Sequence, residues 1–154
     1  EARDMALVNA RARLRMTTLY YFAALNGMLV AGTGNKIEDF GIGFFTKYGD
    51  GGVDLSPIAD LKKTEVYAIG KELGVSESIM KAPPTDGLWG DDRTDEDQIG
   101  ASYAELEWAI DFNGEQETLD DRQKVVLNIY NNLHRANKHK MEPIPVCKIP
   151  SELK

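Results

Sequence analysis

The chain has 154 residues, 42% hydrophobic and 28% charged, ordinary values for one globular domain or part of one. No apolar run approaches the roughly 18 residues of a membrane span, no leader pattern opens the chain, and the lone Cys147 cannot form an internal disulfide; a cytoplasmic setting is expected. With 18 Lys and Arg against 25 Asp and Glu the net charge is −7, which argues against a general nucleic-acid surface and leaves any anion site to a local cluster of cations.

Glu1 to Asp4 run into a helical pattern without a start methionine, so the chain reads as cut from something longer. From Asp4 to Asn26 there is no Gly or Pro, and Met5, Val8, Ala12, Met16, Leu19 and Ala23 recur as one helical face does. Leu7, Leu14, Tyr21 and Leu25 mark a second apolar stripe, which predicts packing on the core and on another subunit. After Gly27, Met28–Ala31 suits a buried parallel strand. Five glycines between Gly41 and Gly52 predict a ligand-facing loop. Leu61, Val66, Ile69 and Leu73 mark a helix that Gly74 ends. Lys81 to Arg93, with Pro83, Pro84, Gly87 and Gly90, predicts a long loop: a mobile lid over a ligand, or a fixed loop whose Trp89 plugs the core. Capping pairs Thr94 with Asp97, Ser102 with Glu105 and Thr118 with Asp121 make the last third mainly helical.

Several segments have chemical potential. Gly32-Thr33-Gly34-Asn35-Lys36 after a strand brings backbone N–H groups and a hydroxyl near a phosphate or ribose, although a tight strand-to-helix turn explains it as well. Glu38 offers a carboxylate to Mg²⁺, with a solvated surface Glu as the commoner reading. Lys47, Asp50 and Asp54 crowd one glycine-rich stretch, more charge than a hairpin turn calls for. Lys62, Lys63, Lys81 and Thr85 can hold phosphate. Arg11 and Arg15 share one helix face and Arg13 points the other way. His134 and His139 are five apart without a Cys pair, and there is no Gly-x-Ser-x-Gly elbow, so zinc and serine-nucleophile chemistry have no support.

Together, Arg11-Ala12-Arg13-Leu14-Arg15-Met16, Gly32-Thr33-Gly34-Asn35-Lys36-Ile37-Glu38, Phe45 to Ile58, and Leu88-Trp89 ahead of Thr94-Asp95-Glu96 resemble NAD synthetases in order and spacing. The resemblance implies an α/β fold with the Rossmann-like parallel sheet of the ATP pyrophosphatase type, truncated at the N-terminus, with residues 1–154 as the C-terminal part of one domain. It implies ATP-dependent amidation of deamido-NAD by ammonia, with Mg²⁺, in a homodimer. Carried over by position, Thr33, Lys63 and Thr85 contact ATP, Glu38 binds Mg²⁺, and Arg13, Lys47, Asp54, His139 and Lys140 bind deamido-NAD. Asp86 stands where the family has a small residue, and Pro83-Pro84 where one proline is usual. The family's upstream Ser-Gly-Gly-x-Asp-Ser phosphate loop is absent, so this chain alone is expected to be inactive. Two other readings are a related ATP pyrophosphatase with another acceptor, and a non-catalytic dimerisation or ligand-binding fragment.

Overall fold

The computed structural model describes residues 2–85, 87–89, 91 and 93–154. Glu1, Asp86 and Gly90, on which sequence expectations fell, lie outside them. The first helix, α1 (Ala2–Asn26), ends in a Schellman motif: Gly27 takes φ +63°, its N–H reaches the Ala24 carbonyl at 3.3 Å, and Met28 N–H reaches that of Ala23 at 2.8 Å. Only Val8 and Ala12 of this helix are buried. The second stripe is bare: Leu7, Leu14, Tyr21 and Leu25 are exposed, Leu14 at 68%.

The expected strand at Met28–Ala31 is reduced to a single parallel bridge between Ala31 and Leu55. Gly32 N–H donates to Leu55 O at 2.7 Å and Asp54 N–H to Val30 O at 2.9 Å. A parallel strand needs a neighbour on each side for its backbone groups. Among the described residues no second extended segment pairs with 28–31, and the sheet is not formed here. Met28 and Leu29 remain exposed.

Lys36–Ile42 forms a π-helical turn, followed by α2 (Lys63–Glu72), α3 (Glu77–Met80), α4 (Asp95–Ile99), α5 (Tyr103–Asp111) and α6 (Asp121–Met141). Gly74 ends α2 as read, at φ +71°, with Val75 N–H on the Gly70 carbonyl at 2.9 Å. Thr94 and Ser102 cap α4 and α5, each accepting the N–H three residues on. The third cap differs. Asp120, not Thr118, caps α6, with Gln123 as its reciprocal partner. Thr118 closes a short 3₁₀ turn, Gln116–Thr118, and gives its hydroxyl to the Glu115 carbonyl at 2.7 Å, which leaves the carboxylate to take the cap.

The larger core joins the π-turn, α5 and α6 through Ile37, Ile42, Leu106, Val126 and Leu127. Arg122 on α6 donates to both oxygens of Glu105 on α5, at 2.7 and 2.8 Å, and with Ser102 holds that carboxyl down to about 2. A smaller core sets Leu88 against Val8 and Ala12, with Trp89 beside it. Arg11 donates to the Leu88 carbonyl and Arg15 to that of Gly87 at 3.3 Å, while the Arg93 guanidinium lies 4.3 Å from the Trp89 ring. Residues 87–89 of the proline-rich loop are thereby docked on α1.

Candidate functional site

Asn35 organises the first part of the site. It is buried, sits in extended conformation after Gly34, and its Oδ1 accepts the N–H groups of Ile37 and Glu38 at 3.0 and 3.1 Å. This is N-cap chemistry, so the turn from Gly32 to Lys36 is what launches the π-turn. Ile37 points fully into the core, which brings Glu38 to the inner rim. Its Oε1 receives Lys63 Nζ at 2.8 Å and the Tyr103 hydroxyl at 2.6 Å. Both partners of the ion pair are largely covered, with 19% and 16% of their side chains exposed. The Lys63 ammonium also lies 4.6 Å from the Tyr103 ring centroid. Burial, then the charge of Glu38 and its hydrogen bond, and finally Asp95, push the Tyr103 hydroxyl far above its usual value, so it stays protonated and donates.

Asp95 Oδ2 lies 3.3 Å from the same hydroxyl, and Asp95 N–H donates to the Pro84 carbonyl at 3.0 Å. The residue before Thr85 is thereby tied to the Glu38–Lys63–Tyr103 group. Thr85 and Thr33 are both exposed. Lys62, adjacent in sequence to Lys63, turns instead to Asp111.

Asp39 follows Glu38 and lies against Gly34, where an added Cβ would meet its Oδ1 at 2.1 Å. Burial, then the charges of Glu38 and Asp50, raise its carboxyl to about 6. A carboxyl raised from 3.8 to about 6 on folding contributes stability that is present below 3.8 and lost as pH rises through about 6. Asp39→Asn is therefore expected to stabilise the fold at pH 7, by about 1 kcal/mol after allowance for solvent screening, with the gain vanishing below about pH 4. Urea unfolding of both forms at the two pH values checks this, and an equal gain at both contradicts it.

A second group forms around residues 43–48 and the end of α6. Lys140 Nζ donates to the carbonyls of Gly43 and Phe45 at 2.9 and 2.7 Å, and burial lowers its pKa. Lys47 donates to the His139 carbonyl, and Arg13 Nε to the Lys47 carbonyl at 3.3 Å. Arg13, Lys47, His139 and Lys140 are thus brought to one place. His139 itself is exposed, its Nδ1 3.2 Å from the Ala136 carbonyl. The loop is held from below by Thr46, whose hydroxyl donates to Asn9 Oδ1 at 2.8 Å, and by Asp50, which accepts Thr46 N–H at 2.9 Å. Tyr48 adopts φ +63°, a strained value for a residue with a Cβ. Asp54 lies apart, accepting the Tyr20 hydroxyl at 3.0 Å and Val30 N–H at 2.8 Å.

The arrangement pairs a carboxylate and an ammonium of the kind a nucleotide–cation complex uses with a separate cluster of the cations Arg13, Lys47 and Lys140. Among the described residues no group of three or more His, Cys, Asp or Glu side chains converges as a protein-only metal cage. Mg²⁺ is commonly held by one or two carboxylates together with substrate phosphates, and Glu38 fits one such position because its Oε2 takes no hydrogen bond from the described residues.

A family model for NAD synthase matches residues 1–144. The chain belongs to the NAD synthase family. It is 42% identical over 151 residues to the NH₃-dependent NAD(+) synthetase of Archaeoglobus fulgidus, covering 97% of this chain and 58% of that protein. The enzyme of the same name from Methanococcoides burtonii is 43% identical over 138 residues, 82% of this chain and 52% of its own. Among solved structures, the NMN synthetase of Francisella tularensis superposes with a TM-score of 0.77 at 37% identity, and the NH₃-dependent NAD synthetase of Campylobacter jejuni with 0.69 at 32%. Each covers 94% of this chain and 56% of the neighbour. The chain therefore spans about half the length of the family members it matches.

The sequence reading missed Tyr103, Asn35 and Asp95 as site residues. Asn35 had a local signal, an Asn directly before a helical turn. Tyr103 had none, since it lies 65 residues from Glu38 and meets it only through the packing of α5 on the π-turn.

Proposed function

We propose that this chain supplies about half of the catalytic domain of an ATP-dependent ligase that amidates deamido-NAD with ammonia. The observation that carries the reading is the covered Glu38–Lys63 pair under the Tyr103 hydroxyl, which joins the two residues to which the sequence resemblance assigns the metal and an ATP contact. In the proposed reaction the nicotinate carboxylate attacks the α-phosphorus of ATP, the α–β bridge breaks and pyrophosphate leaves. Ammonia then adds to the acyl carbon, a proton is lost, and the C–O bond to AMP breaks to give the amide. Mg²⁺, when bound, would neutralise charge on the phosphates. Lys63 turns from Glu38 to the phosphates and stabilises the departing pyrophosphate, with Thr33 and Thr85 as further nucleotide contacts. Arg13, Lys47, His139 and Lys140 hold the acidic dinucleotide, and Asp54 accepts from its hydroxyl groups.

In this reading a parallel sheet is completed by segments outside this chain, the Met28–Ala31 segment becoming one of its strands. The phosphate-binding loop that catalysis requires is not in this sequence, so the chain alone is inactive. The bare stripe Leu7, Leu14, Tyr21 and Leu25 is the homodimer contact, and the enzyme works in the cytoplasm.

A second reading has a specific support: the Francisella tularensis neighbour, with the higher TM-score and identity of the two structures, is described as an NMN synthetase. The acid amidated would then be the mononucleotide. Steady-state amidation by the full-length protein, with ATP, ammonia and either deamido-NAD or nicotinate mononucleotide, separates the two. At least tenfold higher kcat/KM for deamido-NAD is expected; the reverse preference transfers the assignment to the mononucleotide, and no amide from either acid removes the ligase reading.

A further inference from the structure

The Glu38 side chain has three rotatable bonds, and a flexible carboxylate loses conformational freedom each time it takes up a cation. Its backbone is already fixed, the N–H by Asn35 Oδ1 at 3.1 Å and the carbonyl by Phe44 N–H at 2.8 Å. What fixes the carboxylate itself is the pair of donors on one oxygen: Lys63 Nζ and the Tyr103 hydroxyl both lie on Oε1. They are not equivalent. Lys63 is a long, rotatable cation that must leave Glu38 if it is to reach phosphate, whereas Tyr103 is 6% exposed, in the core, at the first residue of α5. Its N–H is anchored to Glu96 Oε1 at 2.8 Å. The tyrosine therefore stays when the lysine goes.

We propose that Tyr103 is the positioning residue of the Glu38 carboxylate, holding Oε1 so that Oε2 is presented to the cation that accompanies ATP. This rests on the reading of Glu38 as a metal ligand. Its chemistry is that of an outer partner that orients a ligand and does not itself touch the metal. Removing the hydroxyl while keeping the ring leaves the core filled and leaves a ring for the Lys63 ammonium, so Tyr103→Phe removes only the contacts of the hydroxyl, to Glu38 Oε1 at 2.6 Å and to Asp95 Oδ2 at 3.3 Å, and the Glu38→Gln background tells the first from the second.

The test measures Mn²⁺ binding to the full-length protein in the presence of ATP and without the acid substrate, by electron paramagnetic resonance and calorimetry, with thermal unfolding in parallel. Tyr103→Phe is expected to weaken Mn²⁺ about tenfold or more while remaining folded, and to have no further effect in the Glu38→Gln background. Wild-type Mn²⁺ affinity in Tyr103→Phe, alongside a loss in Glu38→Gln, overturns this inference alone. An undiminished affinity in Glu38→Gln overturns the metal-ligand reading and this inference with it. An equal loss from Tyr103→Phe in both backgrounds shows a general structural role and also overturns it.

Discussion

Glu38→Gln is expected to lower Mg²⁺-dependent amidation by the full-length protein by two to four orders of magnitude, roughly 3–5 kcal/mol of transition-state stabilisation. The substitution keeps the shape of the side chain and a carbonyl oxygen that can still accept from Tyr103 and Lys63, the two donors seen on Oε1. What it removes is the negative charge. That charge serves twice: it balances the covered Lys63 ammonium in the resting form, and it would meet the cation through Oε2, on which no donor among the described residues lies. Unpairing a largely covered lysine has its own cost, so a modest fall in stability accompanies the loss. Circular dichroism melts separate the two effects. Turnover within a factor of about two of wild type at saturating Mg²⁺ contradicts the role.

Gly43→Ala is expected to cost about 3–5 kcal/mol. Gly43 closes the π-turn at φ +61°, where a residue with a Cβ pays about 1–2 kcal/mol. The added Cβ would also stand 2.5 Å from Asn137 Cβ, a backbone-proximal atom that cannot swing away. Helix α6 must then shift. Such a shift breaks the Asn137 Nδ2 bond to the Ile42 carbonyl at 2.8 Å and the Lys140 bond to the Gly43 carbonyl at 2.9 Å. Because α6 also carries the His139 carbonyl that receives Lys47, the proposed dinucleotide contact is expected to weaken with stability. Urea unfolding measures the first effect, and a loss under about 1 kcal/mol contradicts the packing argument.

The features legible in the sequence are those decided locally. The glycine stops at 27 and 74, the caps at Thr94 and Ser102, and the long first helix depend on residues within a few positions of each other. Asp120 displaced Thr118 because two acceptors stood within one turn, and the winner was set by a 3₁₀ turn that spacing does not reveal. Met28–Ala31 reads as strand, yet a strand is a relation between segments, and its one bridge among the described residues is that of Ala31 with Leu55. In the site, Lys62 and Lys63 look interchangeable until the phase of α2 sends the first to Asp111 and the second to Glu38. The meeting of Arg13, Lys47 and His139 depends on α1, the glycine-rich loop and α6 converging, so their grouping came from resemblance and not from spacing.

The most direct measurement is ATP–pyrophosphate exchange by the full-length protein, without ammonia, with and without the nicotinate-bearing acid. Formation of an acyl-adenylate predicts that labelled pyrophosphate enters ATP only when the acid and Mg²⁺ are both present, that Glu38→Gln abolishes the exchange, and that ammonia converts the complex to amide and AMP. Exchange that ignores the acid, or formation of ADP and phosphate in place of AMP and pyrophosphate, would contradict adenylylation at this site.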